Sequence, residues 1–239
     1  QHPEHEEKRA QRHREEASAE GHTEHDRSRR EHQRHRRESK SALFLVPGLA
    51  AYVVAIICVL LTALTVAREW ELGSMEQLFA TPVGRFEIVV GKLLPYLGLG
   101  LAAVTLVLSA GAVVFGVPFR GSLLAVALGS LLFVLGMLAQ GLLISIVTKN
   151  QMVATQAAAL SSMLPSMLLS GFLFPIENMP GVLQLITLGV PARHYIEILR
   201  GALLRGNSLW DLLEPIAALG AFSVALILIS TVRFQRRLA

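Results

Sequence analysis

Apolar and polar positions divide this chain into long uninterrupted apolar runs joined by short charged connections. A helix needs about 20 apolar residues to cross about 30 Å of hydrocarbon, and these runs have that length. The first extends from Leu43 to Ala67, with Pro47 and Gly48 near its start. The second, Ile88 to Phe115, carries Lys92 close enough to its end to reach the interface with its amine. Gly116-Val117-Pro118 predicts a turn, and the third run covers Ser122 to Thr148. Lys149-Asn150 leaves a very tight connection to the fourth, Gln151 to Phe174, in which Pro165 predicts a kink. A broken stretch from Pro175 to Asp211 precedes the fifth run, Glu214 to Val232, and Arg233, Arg236 and Arg237 make a basic tail. The pattern predicts an all-α polytopic transmembrane helix bundle, of about five spans plus short re-entrant or interfacial helices, over residues 41–239.

Composition changes the picture at the N-terminus. Residues 1–40 hold 11 of the 22 Lys and Arg, 10 of the 18 Asp and Glu, and 7 of the 8 His. They are nearly charge-balanced and have too few large apolar groups to bury a core, so they read as a charged, soluble segment, disordered or partly helical. His2 with His5, His22 with His25, and His32 with His35 could each share one helix face and chelate a metal. No Cys or carboxylate pattern completes such a site, and none is assigned. The chain begins at Gln1, and the expectation is that it starts inside a longer product. The single cysteine, Cys58, falls within the first run and can form no internal disulfide.

The spans exclude more chemistry than they suggest. Between their ends they contain no Asp, Glu, His, Lys or Arg apart from Lys92, whereas ion-coupled carriers usually need such groups at depth. No Ser/His/Asp set or paired carboxylates can be assembled for hydrolysis, and His194 stands alone as a structural histidine. Gly84 to Lys92 resembles a phosphate loop only faintly, since Leu93 stands where Ser or Thr is required. No catalytic residue and no cofactor is assigned, and nothing points to nucleic acid. Ala154, Ala158, Ser162, Ser166 and Ser170 recur every four residues. This helix-packing seam lets two membrane helices approach closely, within the chain, at a subunit contact or along a transport path, with hydroxyls able to bond across it.

The connection Arg68 to Glu87 is the most informative. Ser74 with Gln77 fits a capping box, and Met75, Leu78 and Phe79 then form one apolar stripe on a short helix. Glu76 lies in its first turn, and Thr81-Pro82 ends it. Such a helix suits either the membrane surface or a partner's groove.

The run Arg68 to Pro82 resembles the cytoplasmic coupling segment of ATP-binding-cassette exporter permeases of the type 2 class. Ser170-Gly171-Phe172-Leu173-Phe174-Pro175-Ile176-Glu177-Asn178-Met179-Pro180 is similar to the same family's motif after its penultimate span. Pro191-Ala192-Arg193-His194-Tyr195, with Glu197, Arg200 and Gly201, continues the likeness. The resemblance implies a permease in the cell (inner) membrane, with no enzymatic site of its own, moving its substrate outward by alternating access, and the uncharged spans suggest a lipophilic or amphipathic cargo. It implies a homodimer or paired permease in membrane lipid, served by a cytoplasmic ABC ATPase that binds ATP and Mg. On that likeness Glu69, Glu71, Gly73, Met75, Glu76, Leu78 and Phe79 contact the ATPase. Phe174, Pro175, Glu177, Asn178 and Pro180 belong to a re-entrant exit region, although Glu177 suits equally a helix N-terminal charge without a transport role. A non-transport scaffold anchoring a soluble partner, and a secondary carrier or channel, are the alternatives.

Members of the subgroup it most resembles carry one further N-terminal span and an extracytoplasmic domain, where this chain has residues 1–40. Arg68, Arg85, Lys92, Lys149, Arg233, Arg236 and Arg237 fall on one side of the membrane, against Arg120, Arg193, Arg200 and Arg205 on the other. The positive-inside tendency therefore places the coupling segment in the cytoplasm. Residues 1–40 then lie outside, as the end of a translocated domain.

Overall fold

The computed structural model describes residues 45–75, 84–116 and 119–234. Helix α1, Leu45–Glu71, is followed by a turn through Gly73 and by α2, Arg85–Phe115. Helix α3 is Leu123–Thr148, and α4, Gln151–Leu164, continues as a π-helical turn, Pro165–Leu169. Two shorter helices follow, α5 (Gly181–Thr187) and α6 (Pro191–Arg200), the latter continued by a π-helical turn, Gly201–Arg205. Helix α7 is Leu213–Arg233. Among the described residues, five helices are long and apolar enough to cross a membrane, namely α1, α2, α3, α4 with its π turn, and α7 with the single turn before it.

Contacts between helix ends fix the direction of each span. Gly48 in the second turn of α1 meets the ring of Phe172, beyond the end of α4, and Tyr52 stacks on the same ring at 6.2 Å. The amide of Gly121, just before α3, donates to the carbonyl of Ala202 at 2.8 Å. At the opposite end, Glu69 of α1 pairs with Lys92 of α2, and Trp70 lies beside Phe234, just past α7. Successive spans therefore alternate in direction. The connection 170–212 lies at one end, here called the far end, and residues 72–75 and the Lys149–Asn150 turn lie at the other, near end.

The bundle is built around α3, whose Phe133, Val134, Met137, Leu138 and Leu142 are fully buried, with α7 and α1 packed against it. Small residues allow the approach. A methyl group on Gly141 would overlap the backbone carbonyl of Val59 in α1, and one on Gly136 would lie 3.0 Å from the Phe222 ring of α7. Helix α2 instead leaves Leu94, Leu99, Leu106 and Val113 exposed, a face suited to lipid and unsuited to water.

Several boundaries differ from the sequence expectation. The first span reaches Glu71 rather than Ala67, because the acids of its last turn find partners within the chain and no breaker intervenes before Gly73 at φ 72°. The second begins at Arg85, where Glu87 turns back to accept the Gly84 amide at 2.9 Å. Its Pro95, which the apolar pattern did not single out, sits inside α2, and the carbonyl its ring crowds belongs to Gly91. Pro165 acts by switching α4 into the π-helical turn, and the span ends at Leu169, so Phe174 lies outside it. The last helix starts at Leu213, one residue early.

Candidate functional site

The near end is the first candidate. Only part of the expected coupling segment falls within the described residues: Glu76, Leu78 and Phe79 lie outside them, as do Gln77 of the capping box and the His pairs of residues 1–40. The described part makes contacts within the chain that the sequence pattern did not show. Glu69 is on α1, not on a loop, and pairs with Lys92, whose side chain is 15% exposed. A lysine expected to snorkel is thus held by an acid from the preceding helix, α1. Glu71, also on α1, accepts the backbone amide of Gln151 at 2.8 Å and so caps the start of α4 across 80 residues of chain. Asn150 caps the same helix through the amide of Val153 at 3.0 Å. Trp70 lies between them, with the Lys149 ammonium 4.8 Å from its ring centre and the Phe234 ring 6.0 Å away. Gly73 makes the left-handed turn, and Met75 is 1% exposed, packed within this chain. The last turn of α1 is thereby tied to α2, α4, the α3–α4 turn and the end of α7 immediately before segment 76–83.

The five small residues of the seam are all buried within the chain. The hydroxyls of Ser162 and Ser170 bond along their own segment of chain. Ser162 donates to the carbonyl of Ala158 at 2.7 Å, and Ser170 donates to that of Ser166.

The far end is the second candidate. Glu177 and Asn178 form a single 3-10 turn, Ile176–Asn178, after Pro175, and Pro180 starts α5. Helix α6 is anchored beneath them. Tyr195 stacks on Phe133 of α3 at 4.2 Å and shares a hydrogen bond of 2.9 Å with Ser130. The His194 Nε2 donates to the carbonyl of Leu188 at 2.9 Å, the structural role expected of it. Arg193 donates to the hydroxyl of Thr187 and to the carbonyl of Gln184 at 3.3 Å, and Arg200 to that of Gly171 at 3.2 Å. Burial, and then the nearby Arg205, draw the Arg200 guanidinium below its ordinary pKa.

Two cavities open here and share Pro175. One of about 440 Å³ is lined by Glu177, Arg193, Glu197, Arg200 and Arg205, with Gln184 and Ser170. The other, of about 470 Å³, is apolar and lined by Leu164, Leu168, Phe174, Met179 and Leu183 among others. Sequence motifs brought Glu177 and Phe174 to notice, but nothing local signalled that Arg193, Arg200 and Arg205 would converge on the same space. Among the described residues no group of three or more His, Cys, Asp or Glu could hold a metal ion.

Comparison with known proteins agrees with this architecture. The chain is 41% identical over 195 residues to "Probable multidrug ABC transporter permease YbhS" of Escherichia coli K12, covering 82% of this chain and 52% of that one. It is 35% identical over 190 residues to "Probable multidrug ABC transporter permease YbhR" of the same strain, covering 77% and 51%. It is 29% identical over 171 residues to "ABC transporter G family member 20" of Dictyostelium discoideum, covering 72% of this chain and 23% of that one. The chain thus spans about half the length of the bacterial relatives it matches. No solved structure matches. The family described as "ABC-2 family transporter protein" matches residues 8–232, nearly the whole length, and the chain is an integral membrane protein belonging to that family.

Proposed function

We propose that this chain is the membrane-spanning permease part of an ATP-driven exporter in the cell membrane, paired with a second permease copy and driven by a cytoplasmic ABC ATPase. The observation that carries the reading is the tether at the near end. A segment that receives force from an ATPase works only if it is joined rigidly to the helices that must move. Here the last turn of α1 is joined to α2 through Glu69 and Lys92, to α4 through Glu71, and to the α3–α4 turn and the end of α7 through Trp70. In this reading Glu69 and Glu71 transmit force, and docking falls to Glu76, Leu78 and Phe79. Gly73 is the turn between the two parts. The near end faces the cytoplasm, as its excess of Lys and Arg favours. The far-end segment Phe174 to Pro180 borders the exit.

The names of the bacterial relatives, probable multidrug ABC transporter permeases, support drug-like cargo, the uncharged spans suit a lipophilic or amphipathic one, and the lack of Asp, Glu, His and Arg at depth in the spans favours a separate energy source. The test is transport in inside-out vesicles containing the chain and the ATPase encoded with it. ATP-dependent uptake of a fluorescent amphipathic dye is expected. Uptake that proceeds equally on a proton gradient without ATP would assign the chain to the secondary carriers instead.

A further inference from the structure

The two far-end cavities differ in chemistry but meet along Pro175. In the polar one, Arg193, Arg200 and Arg205 face Glu177 and Glu197, three positive charges against two negative, which leaves one net positive charge. Two of these guanidiniums are already oriented by the chain: Arg193 by Thr187 and the Gln184 carbonyl, Arg200 by the carbonyl of Gly171. Arg193 uses only part of its five N–H donors in these bonds, so donors remain on it for an acceptor entering the cavity. Arg205 is exposed at the rim, on the π-helical turn after α6. The neighbouring cleft is lined by Asn178 and otherwise by apolar residues, with no charged side chain in its lining. Leu164, Leu168, Phe174 and Leu183 line it and remain between 39% and 58% exposed. Each cavity is within the size range of small-molecule sites, about 300–1,000 Å³.

We propose that the joined cavities form a binding site for an amphiphile with a single negative charge, its carboxylate, sulfonate or phosphodiester head group among the arginines and its apolar body in the Leu164–Leu183 cleft. A guanidinium recognises a planar or tetrahedral oxyanion through paired N–H donors, which an uncharged or cationic head group cannot use. Glu177 sets the charge limit: with both acids ionised, one anionic charge neutralises the site and a second meets repulsion. This gives Glu177 a role in selecting the ligand. As a binding site the assignment stands on the cavities alone; as a site for exported cargo it rests on the exporter reading above.

The test uses the whole chain in phosphatidylcholine nanodiscs, without ATPase or nucleotide, and 11-(dansylamino)undecanoic acid as probe, with its methyl ester as the uncharged control. The acid should bind at least tenfold more tightly than the ester. Arg205→Gln should erase most of that preference while leaving ester binding unchanged, and Glu177→Gln should strengthen acid binding severalfold. Both side chains are exposed, so neither change threatens the fold. In a series of ω-dansyl acids, affinity should rise about fourfold per added methylene until the cleft is filled. Leu183→Glu should abolish binding of acid and ester alike. Adding phosphatidylglycerol to the discs separates two sources of the anion: competition with the probe identifies resident anionic lipid, and its absence identifies a free amphiphile. Equal binding of acid and ester, unmoved by either charge substitution, would overturn the proposal. So would acid binding that falls as the protein is concentrated, since a second copy would then occupy the cleft. A chain that binds the acid as described but supports no ATP-dependent uptake would sink the exporter reading and leave the site intact.

Discussion

Gly121 is the position where one methyl group should do most to separate the far-end elements. Its backbone lies against the π-helical turn and loop after α6. A Cβ there would stand 2.7 Å from the carbonyl oxygen of Ala202, 2.8 Å from that of Asn207 and 2.9 Å from the Ala202 Cα. All three are backbone atoms and cannot swing aside. Ordinary contact begins at 3.4 Å, so Gly121→Ala must move the two segments apart by 3.4 − 2.7, or 0.7 Å. The Gly121 amide, which donates to Ala202 at 2.8 Å, would then lie about 3.5 Å from its acceptor and lose the bond. Overpacking of this kind costs about 1–3 kcal/mol, including roughly 1 kcal/mol for the hydrogen bond. For a chain of this size that corresponds to a fall in melting temperature of about 2–12 °C. Cys58 supplies the assay. It is the single thiol, 1% exposed, and becomes reactive to a fluorogenic maleimide when the bundle opens. Gly91→Ala is the control, because a Cβ there meets nothing within 4 Å and alanine gains about 0.5–1 kcal/mol over glycine in a helix. Its melting temperature should hold or rise. If Gly121→Ala melts with the parent, or both variants fall together, the close approach between the α2–α3 turn and the segment after α6 is wrong.

Three other perturbations probe the ties between helices. Glu69→Ala leaves the mostly buried Lys92 ammonium without its acid and should cost about 1–3 kcal/mol, between the values for exposed and buried pairs; adding Lys92→Met should restore part of it in the same thiol-exposure assay. Glu71→Ala removes one of the two caps on α4 and should lower stability by about 0.5–2 kcal/mol, whereas Glu71→Gln, which keeps an acceptor, should lose less; equal losses would refute the capping role. Tyr195→Phe deletes the hydrogen bond to Ser130 but keeps the ring on Phe133, so it should cost about 1 kcal/mol, and Tyr195→Ala about 3–5 kcal/mol.

The spans were legible because membrane-length apolar runs are a local property, readable from consecutive residues. Ser122 and Asn150 were legible as boundaries for the same reason: each caps the amide three residues ahead. What the apolar pattern could not carry was any tie between distant positions. Lys92 read as a residue near a span end; that it meets Glu69, 23 residues earlier, depends on how α1 and α2 cross. Glu71 read as a loop acid, because nothing near it in sequence shows that the start of α4 comes within 2.8 Å. Met75 shared a stripe with Leu78 and Phe79, yet helical period alone does not tell a residue facing its own bundle from one facing a partner. At the far end, Glu177 was visible through a motif, but the arginines that surround the same cavity come from α6 and the turn after it.

The central claim is that segment 76–83 docks an ATPase while the turn before it is tied to the bundle. The direct measurement is co-elution of this chain with its co-expressed ATPase, comparing the parent, Leu78→Asp with Phe79→Asp, and Glu69→Ala with Glu71→Ala. The account predicts that the first pair abolishes co-elution without changing the melting temperature, whereas the second lowers stability and uncouples ATP hydrolysis from transport while the ATPase stays bound. Retention of the ATPase by the Leu78 and Phe79 variant, or its loss from the Glu69 and Glu71 variant alone, would contradict it.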